Sequence, residues 1–164
     1  MILDLAMIKQ LGEKNLNANY RFRSFLKWKD TKQIDHTVHE LFEFYSLKID
    51  CTTCGNCCAI LQPQILLKDL KALTLASNKT NADFKKEYII LDKDGDMSFK
   101  NSPCPFLENK KCTVYNQRPT DCKSYPHLQK KNFTTRLLGV MDNYSICPIV
   151  FNVFEDLKQA LKFR

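Results

Sequence analysis

Thiol groups dominate the side chains of this sequence that could do chemistry. Four of its eight cysteines fall within CTTCGNCCAI, residues 51–60. Disulfides, a metal centre, redox chemistry and plain core packing are the roles open to such a set. The choice depends on the cellular compartment and on the spacing. The cysteines are Cys51, Cys54, Cys57, Cys58, Cys104, Cys112, Cys122 and Cys147.

The N-terminal stretch carries no pattern typical of export. Asp4 interrupts the apolar residues of MILDLAMIKQLGEK, which has neither a basic start nor a small-residue cleavage site. It is also too short and too charged for a membrane span. We therefore expect a cytoplasmic protein, in which thiols stay reduced and a disulfide framework is disfavoured.

The cysteine spacing favours metal ligands. Cys51-x-x-Cys54 is a chelating spacing, and Gly55 follows where a knuckle turn needs a positive φ. Cys57 repeats the interval, as iron–sulfur loops do. A lone cysteine is most often a small buried hydrophobe, but this grouping is too dense for that. The sequence thus predicts zinc or iron bound by up to eight thiolates.

Eight thiolates suit two four-thiolate zinc sites, or one or two cubane clusters of the 4Fe–4S type. Cys57 and Cys58 are adjacent, and adjacent side chains usually point apart. We expect them to serve different sites, or different atoms of one polynuclear cluster. The number of sites stays open at this point.

The surrounding residues predict an α+β fold, a single small domain over residues 1–164 with helices around short β-hairpins and cysteine-rich loops. Apolar periodicity predicts helices in QIDHTVHELFEFYSL and QPQILLKDLKALTLAS. Asp94-Gly95 suits a tight hairpin turn, and a second hairpin turns at 108–111. NFTTRLLGVMD is interpreted as a strand. The predicted parts are an N-terminal helical arm 1–47, a metal-binding core 51–147 and a C-terminal helix 148–163.

Two of the later cysteines are predicted at the starts of helices. Cys122 lies in the first turn of a short helix that follows Pro119, and Cys147 lies at the N-cap of the last helix with Pro148 at its first position. Helix N-termini favour anions, so both positions favour a thiolate.

Other polar residues offer weaker candidates. Arg118 could donate hydrogen bonds to thiolate sulfur, or else hold backbone carbonyls of its own loop. His36 and His39 lie three positions apart on one helix and could bind metal, although a solvated polar face is the favoured interpretation. His127 is the histidine nearest the cysteines in sequence and is a candidate spare ligand.

The charge and the missing motifs restrict the function. Lys and Arg number 25 against 18 Asp and Glu, a net charge of +7, but the lysines are scattered in small groups, which disfavours nucleic-acid binding. No Gly-rich phosphate loop, Gly-x-Ser-x-Gly elbow or GxGxxG is present. The sequence therefore contains no autonomous catalytic motif, and whether it is an enzyme stays open.

CTTCGNCC, followed by CPFLENKKCTVYNQRPTDCKSYP, resembles the CxxCxxCC family of zinc- or iron-chelating proteins, the YkgJ-type cysteine-cluster proteins. The similar stretch runs from Cys51 to Pro126, and Cys147-Pro148 resembles the family's late Cys-Pro. The resemblance implies a small cytoplasmic domain whose cysteines hold zinc or iron, with an iron–sulfur cluster as one form. A related cysteine region occurs in flagellin lysine N-methylases.

Three functions remain open from the sequence. The metal could hold the fold and present a surface to a protein partner. The chain could be an iron–sulfur redox or accessory protein of an enzyme such as a protein lysine methyltransferase. It could also be a metal chaperone or store.

Overall fold

The computed structural model describes residues 1–163 and confirms the α+β class. Within these residues the chain forms ten α-helices and five short strands. The helices are α1 Leu5–Lys14, α2 Leu16–Leu26, α3 Thr31–Lys48, α4 Cys51–Cys54, α5 Asn56–Ile60, α6 Leu67–Ala76, α7 Asn81–Tyr88, α8 Thr120–Ser124, α9 Leu137–Tyr144 and α10 Pro148–Ala160. The strands are β1 Gln64–Ile65, β2 Ile89–Leu91, β3 Met97–Phe99, β4 Leu107–Glu108 and β5 Lys111–Cys112.

The chain divides into two compact units. Unit 1 comprises residues 1–50 and the described residues from 126 onward, and it holds α1, α2, α3, α9 and α10. Unit 2 comprises residues 51–125 and holds the remaining helices and all the described strands. Seven of the eight cysteines lie in unit 2, and Cys147 lies in unit 1.

The core of unit 1 is built on α10, which is apolar over most of its circumference and packs against α3. On α3 the residues Ile34, Val38 and Tyr45 are buried, as the helical periodicity predicts. Cys147 occupies the N-cap of α10 and Pro148 its first position, which confirms that prediction. Proline suits this position because its missing N–H is one that a helix start leaves unbonded in any case.

The strand predicted for NFTTRLLGVMD is wrong. The segment forms a 3₁₀ turn, Phe133–Thr135, followed by α9. The Asp35 carboxylate accepts the backbone N–H groups of Asn132 at 2.7 Å and Phe133 at 2.8 Å. Asn132 itself has φ 59°. These contacts fix a turn where β-branched residues alone suggest extended chain, because tertiary contacts override strand propensity.

Unit 2 contains a three-stranded antiparallel sheet in the order β1-β3-β2 and a separate β4-β5 hairpin. The second hairpin is confirmed: Glu108 pairs with Lys111, and the two residues between them both have positive φ, as a primed turn requires. The first hairpin is also present, but Leu91 pairs with Met97, so its connection spans residues 92–96. It is therefore a five-residue loop, and not the tight turn expected at Asp94-Gly95.

An apolar cluster forms the core of unit 2. Two cysteines, Cys104 and Cys112, pack against its edge, which joins the thiols to the folded core. The cluster consists of Ile65, Leu70, Leu73, Phe84, Ile89, Phe99, Phe106 and Val114.

Within the described residues, a length and composition test identifies no single helix able to cross a membrane. Together α9 and α10 have the length and apolar composition of a membrane span, but the two helices are bent by 116° relative to each other.

Candidate metal centre

The cysteine-rich segment 51–60 consists of the short helices α4 and α5, where the sequence predicts loops. Cys51 and Cys54 lie at the two ends of α4, and Cys57 and Cys58 lie on α5. Gly55 joins the helices with φ 62°, which confirms the positive φ predicted for it. A non-glycine residue rarely adopts this conformation, so the glycine permits the sharp change of direction between the two pairs of thiols.

The segment is fixed against the β4-β5 hairpin. A Cβ atom added to Gly55 would lie 2.6 Å from the carbonyl oxygen of Lys110 and 3.0 Å from its Cα atom, so the two backbones are in close contact. The N–H of Cys104 donates to the carbonyl of Cys58 at 2.8 Å. The hydroxyl of Ser102 donates to the carbonyl of Ala59, also at 2.8 Å. These contacts hold α5 beside the residues that lead into β4.

Cys122 is positioned by a buried carboxylate. The N–H and hydroxyl of Thr120, at the start of α8, donate to Oδ1 of Asp69 at 3.1 and 2.7 Å. Oδ2 of Asp69 accepts the N–H of Leu66 at 3.0 Å. Asp69 is only 8% exposed and so ties the first turn of α6 to the first turn of α8. Asp69 was not predicted from the sequence. Its one sequence signal is that LLKDL places an acidic residue on the apolar face of a predicted helix.

Four thiols from four separate segments lie within electrostatic range of one another. Burial raises the pKa of Cys104 to about 11 and that of Cys122 to about 12, and the charge of Cys58 adds to both shifts. Burial also raises the pKa of Cys112, again with a contribution from Cys58. Cys58 is therefore the common neighbour of Cys104, Cys112 and Cys122.

Cys58 differs from these three thiols because its pKa is lowered. A hydrogen bond from the Cys57 thiol lowers the pKa of Cys58 to about 7, a backbone hydrogen bond acts in the same direction, and burial opposes both. The thiolate is the form that binds metal. The arrangement thus places a thiol whose pKa is lowered among three thiols whose pKa is raised.

The two adjacent cysteines point in similar directions, because their Sγ atoms lie 4.0 Å apart. Two ligands of one tetrahedral zinc ion, each about 2.3 Å from it, lie about 3.8 Å apart. The separation therefore suits ligands of one ion as well as neighbouring atoms of one cluster. The sequence-based expectation that Cys57 and Cys58 serve separate sites stays a prediction.

Arg118 donates a hydrogen bond to a backbone carbonyl of its own loop, one of the two roles that the sequence suggested for it. Its guanidinium stacks on the ring of Tyr115 at 3.7 Å and donates to the Tyr115 carbonyl at 2.6 Å. Its positive charge also lowers the pKa of Cys112 and offsets part of the effect of burial there. Arg118 is thus a cation in electrostatic range of Cys112.

The histidines lie in unit 1. His36 is exposed, with its Nε2 atom 3.4 Å from Glu40, while Nε2 of His39 is buried and has no hydrogen-bond partner among the described residues. Their environments differ, which does not favour a shared ion. His127 has φ 63°, and its carbonyl accepts from Arg136 at 2.9 Å.

The donor set suits zinc or iron by its chemistry. All eight cysteines are free thiols, and soft sulfur ligands favour zinc and iron–sulfur centres. Among residues 1–163 no group of three or more His, Cys, Asp or Glu side chains has ligating geometry ready-made. Cys51 is exposed, Cys54 and Cys57 are half-buried, and Cys147 is buried in unit 1. Their role as ligands stays a prediction.

Residues 50–138 match the model of the CxxCxxCC family, which carries the description "putative zinc- or iron-chelating domain". The match covers more than half of the chain and includes seven of its eight cysteines. The chain belongs to the CxxCxxCC family. The resemblance seen in the sequence is thereby confirmed. The chain matches no curated protein and no solved structure.

Proposed function

We propose that this CxxCxxCC protein holds a zinc or iron centre whose innermost ligands are Cys58, Cys104, Cys112 and Cys122. The observation that carries the proposal is the electrostatic interaction of Cys58 with three thiols from other segments of unit 2. Four partly buried sulfurs from four segments are the number and type of donors that a closed tetrahedral site would need. Cys51, Cys54 and Cys57 lie on the adjoining α4 and α5 and would extend the site.

A closed four-thiolate zinc site is structural, and this role fits the construction of unit 2. Its apolar cluster is small, and its strands are two or three residues long. Short strands and four- or five-residue helices gain little stability from their own hydrogen bonds. A metal that joins α5, β5, α8 and the segment before β4 would contribute directly to the folding free energy. The folded unit would then present its surface to a protein partner.

An iron–sulfur cluster is the second candidate. The observation that favours it is the run of thiols at intervals of three, Cys51, Cys54 and Cys57, next to a 4.0 Å sulfur pair. A polynuclear cluster needs more thiolates than one zinc ion and accepts such a run. It would supply redox chemistry, either alone or for an enzyme.

Purification under anaerobic conditions followed by metal analysis separates these functions. A colourless protein with zinc and no acid-labile sulfide supports the structural site. A coloured protein with iron and sulfide supports the cluster. In either case Cys58→Ala and Cys122→Ala should lose most of the metal, whereas Cys51→Ala, at an exposed position, should lose less. Wild-type protein with only trace metal, or unchanged metal in Cys58→Ala, would overturn the proposal.

A further inference from the structure

Unit 1 contains a cavity whose lining residues include no cysteine. Its volume is about 580 Å³, within the range of about 300–1,000 Å³ typical of small-molecule sites. It is lined by part of α2, the 3₁₀ turn and the first residues of α9. The lining residues are Arg23, Lys27, Thr134, Thr135, Arg136, Leu137, Leu138 and Gly139.

The lining is strongly cationic. Arg23, Lys27 and Arg136 contribute three positive charges, and the lining residues include no Asp or Glu. Arg23 and Lys27 lie four positions apart on one helical face, where like charges repel. Within the described chain neither side chain has an ion-pair or hydrogen-bond partner. The charges of Arg23 and Lys27 are therefore not compensated by an ion pair among the described residues.

Arg136 is held rigidly at the edge of the cavity. Its guanidinium donates to the carbonyls of His127 and Lys130, and its Nε atom is buried without a hydrogen-bond partner among residues 1–163. Asp35 lies close enough to affect the Arg136 charge, but both of its oxygens accept backbone N–H groups of the turn. The Asp35 charge therefore offsets part of the Arg136 charge, whereas Arg23 and Lys27 have no ion pair among the described residues.

The start of α9 lines the same cavity and has backbone N–H groups that precede its first helical hydrogen bond. The first hydrogen bond of the helix runs from the N–H of Val140 to the carbonyl of Arg136, so the N–H groups of Leu137, Leu138 and Gly139 precede it. No side chain caps this end, and the first turn contains no acidic residue. Uncapped N–H groups beside arginine and lysine are the usual surroundings of a bound phosphate.

We propose that this cavity binds a small organic molecule that carries a phosphate group, with the phosphate between Arg23, Lys27 and the first turn of α9. The cavity is several times larger than a phosphate, and Leu138, one of its lining residues, is 53% exposed. An apolar surface next to the cations suits a ligand with an organic part. The proposal is independent of the metal centre, because every residue it uses lies in unit 1.

Gly139 offers the sharpest test. A Cβ atom there would meet nothing within 4 Å, and the residue is the third of α9, where Glu is favoured by the helix dipole. Gly139→Glu therefore adds a carboxylate to the cavity while supporting the helix. Gly139→Gln adds a neutral side chain of the same size and serves as its control.

Phenyl phosphate is the probe, added to the full chain and followed by calorimetry and by the amide NMR signals of residues 137–139. We expect saturable binding that phenol does not reproduce. Arg23→Gln should weaken it about ten-fold, as for loss of a charge-assisted hydrogen bond. Gly139→Glu should weaken it by more than Gly139→Gln, and Lys9→Gln, an exposed charge on α1, should leave it unchanged.

The opposite results would overturn the proposal. They are an absence of saturation at millimolar phenyl phosphate, equal affinity in Gly139→Glu and Gly139→Gln, or equal weakening by Lys9→Gln. Displacement of phenyl phosphate by a tighter-binding single-stranded oligonucleotide would also overturn it, because the cavity would then be part of a nucleic-acid surface. If Gly139→Glu does not fold, Arg23→Gln and Lys27→Gln decide the question.

Discussion

Replacement of Gly55 by alanine perturbs the junction on which the metal centre depends. The new methyl group would lie 2.6 Å from the Lys110 carbonyl oxygen, which belongs to a backbone and cannot rotate away. The substitution also forces a non-glycine residue to φ 62°. Gly55→Ala should therefore separate α4 and α5 from the β4-β5 hairpin and move Cys58 away from Cys104 and Cys112.

The magnitude has two parts. A left-handed conformation costs a non-glycine residue about 1–2 kcal/mol, and overpacking against fixed atoms costs about 1–3 kcal/mol more. Gly95 provides a matched control, because it has φ 85° but nothing lies within 4 Å of its added Cβ atom. Gly95→Ala should lose only the first part, about 1–2 kcal/mol, and Gly55→Ala about 2–5 kcal/mol.

Denaturant unfolding with and without chelator measures both variants, and metal analysis gives their metal-to-protein ratios. We expect Gly55→Ala to lose stability and metal together, and Gly95→Ala to keep its full metal content. Equal destabilisation of the two variants, with metal retained in both, would refute the argument that contact between Gly55 and Lys110 positions the thiols.

Four further substitutions test other parts of the structure. Asp69→Ala leaves three donors at α6 and α8 without an acceptor. We therefore expect the free energy of unfolding, measured with denaturant, to fall by about 2–4 kcal/mol, and metal binding to weaken. Wild-type values for both would contradict the positioning role of Asp69. Burial and the hydrogen bond to Asp156 raise the pKa of Tyr45 from 10.0 to about 12. The folded state therefore binds the phenolic proton more tightly than the unfolded state does. The free energy of unfolding should consequently fall as the pH rises from 10 to 12. Tyr45→Phe should reduce this dependence of stability on pH, measured by unfolding at a series of pH values. An unchanged dependence would contradict the raised pKa of Tyr45. Cys58→Ala should lose more metal than Cys57→Ala, because Cys58 is the common neighbour of the other thiols; equal, complete loss in both would instead indicate one coupled cluster.

Local sequence signals predicted the elements whose pattern is self-contained. The periodicity of α3, the Pro148 start of α10 and the turn of the β4-β5 hairpin all depend on neighbouring residues alone. The predicted strand at NFTTRLLGVMD failed because a distant residue, Asp35, binds the backbone at its start. The burial of Leu137, Val140 and Tyr144 at intervals of three and four is the helical signal that was overlooked there.

The candidate site was predictable in its residue types and not in its arrangement. Cysteine spacing and the family resemblance identified zinc- or iron-chelating chemistry and the positive φ of Gly55. They did not identify Cys58 as the common neighbour of three distant thiols, because that follows from how the hairpin and α8 pack. Asp69 was missed for the same reason, since its partner Thr120 is remote in sequence.

X-ray absorption at the edge of the bound metal tests thiolate ligation most directly. For the wild-type protein we predict a first shell of sulfur atoms alone, about 2.3 Å from zinc if the site is the closed four-thiolate centre. Cys58→Ala should lower the sulfur count of whatever metal it retains. A first shell dominated by nitrogen or oxygen at about 2.0–2.2 Å would contradict the account, because the cysteines of unit 2 would then not be the ligands.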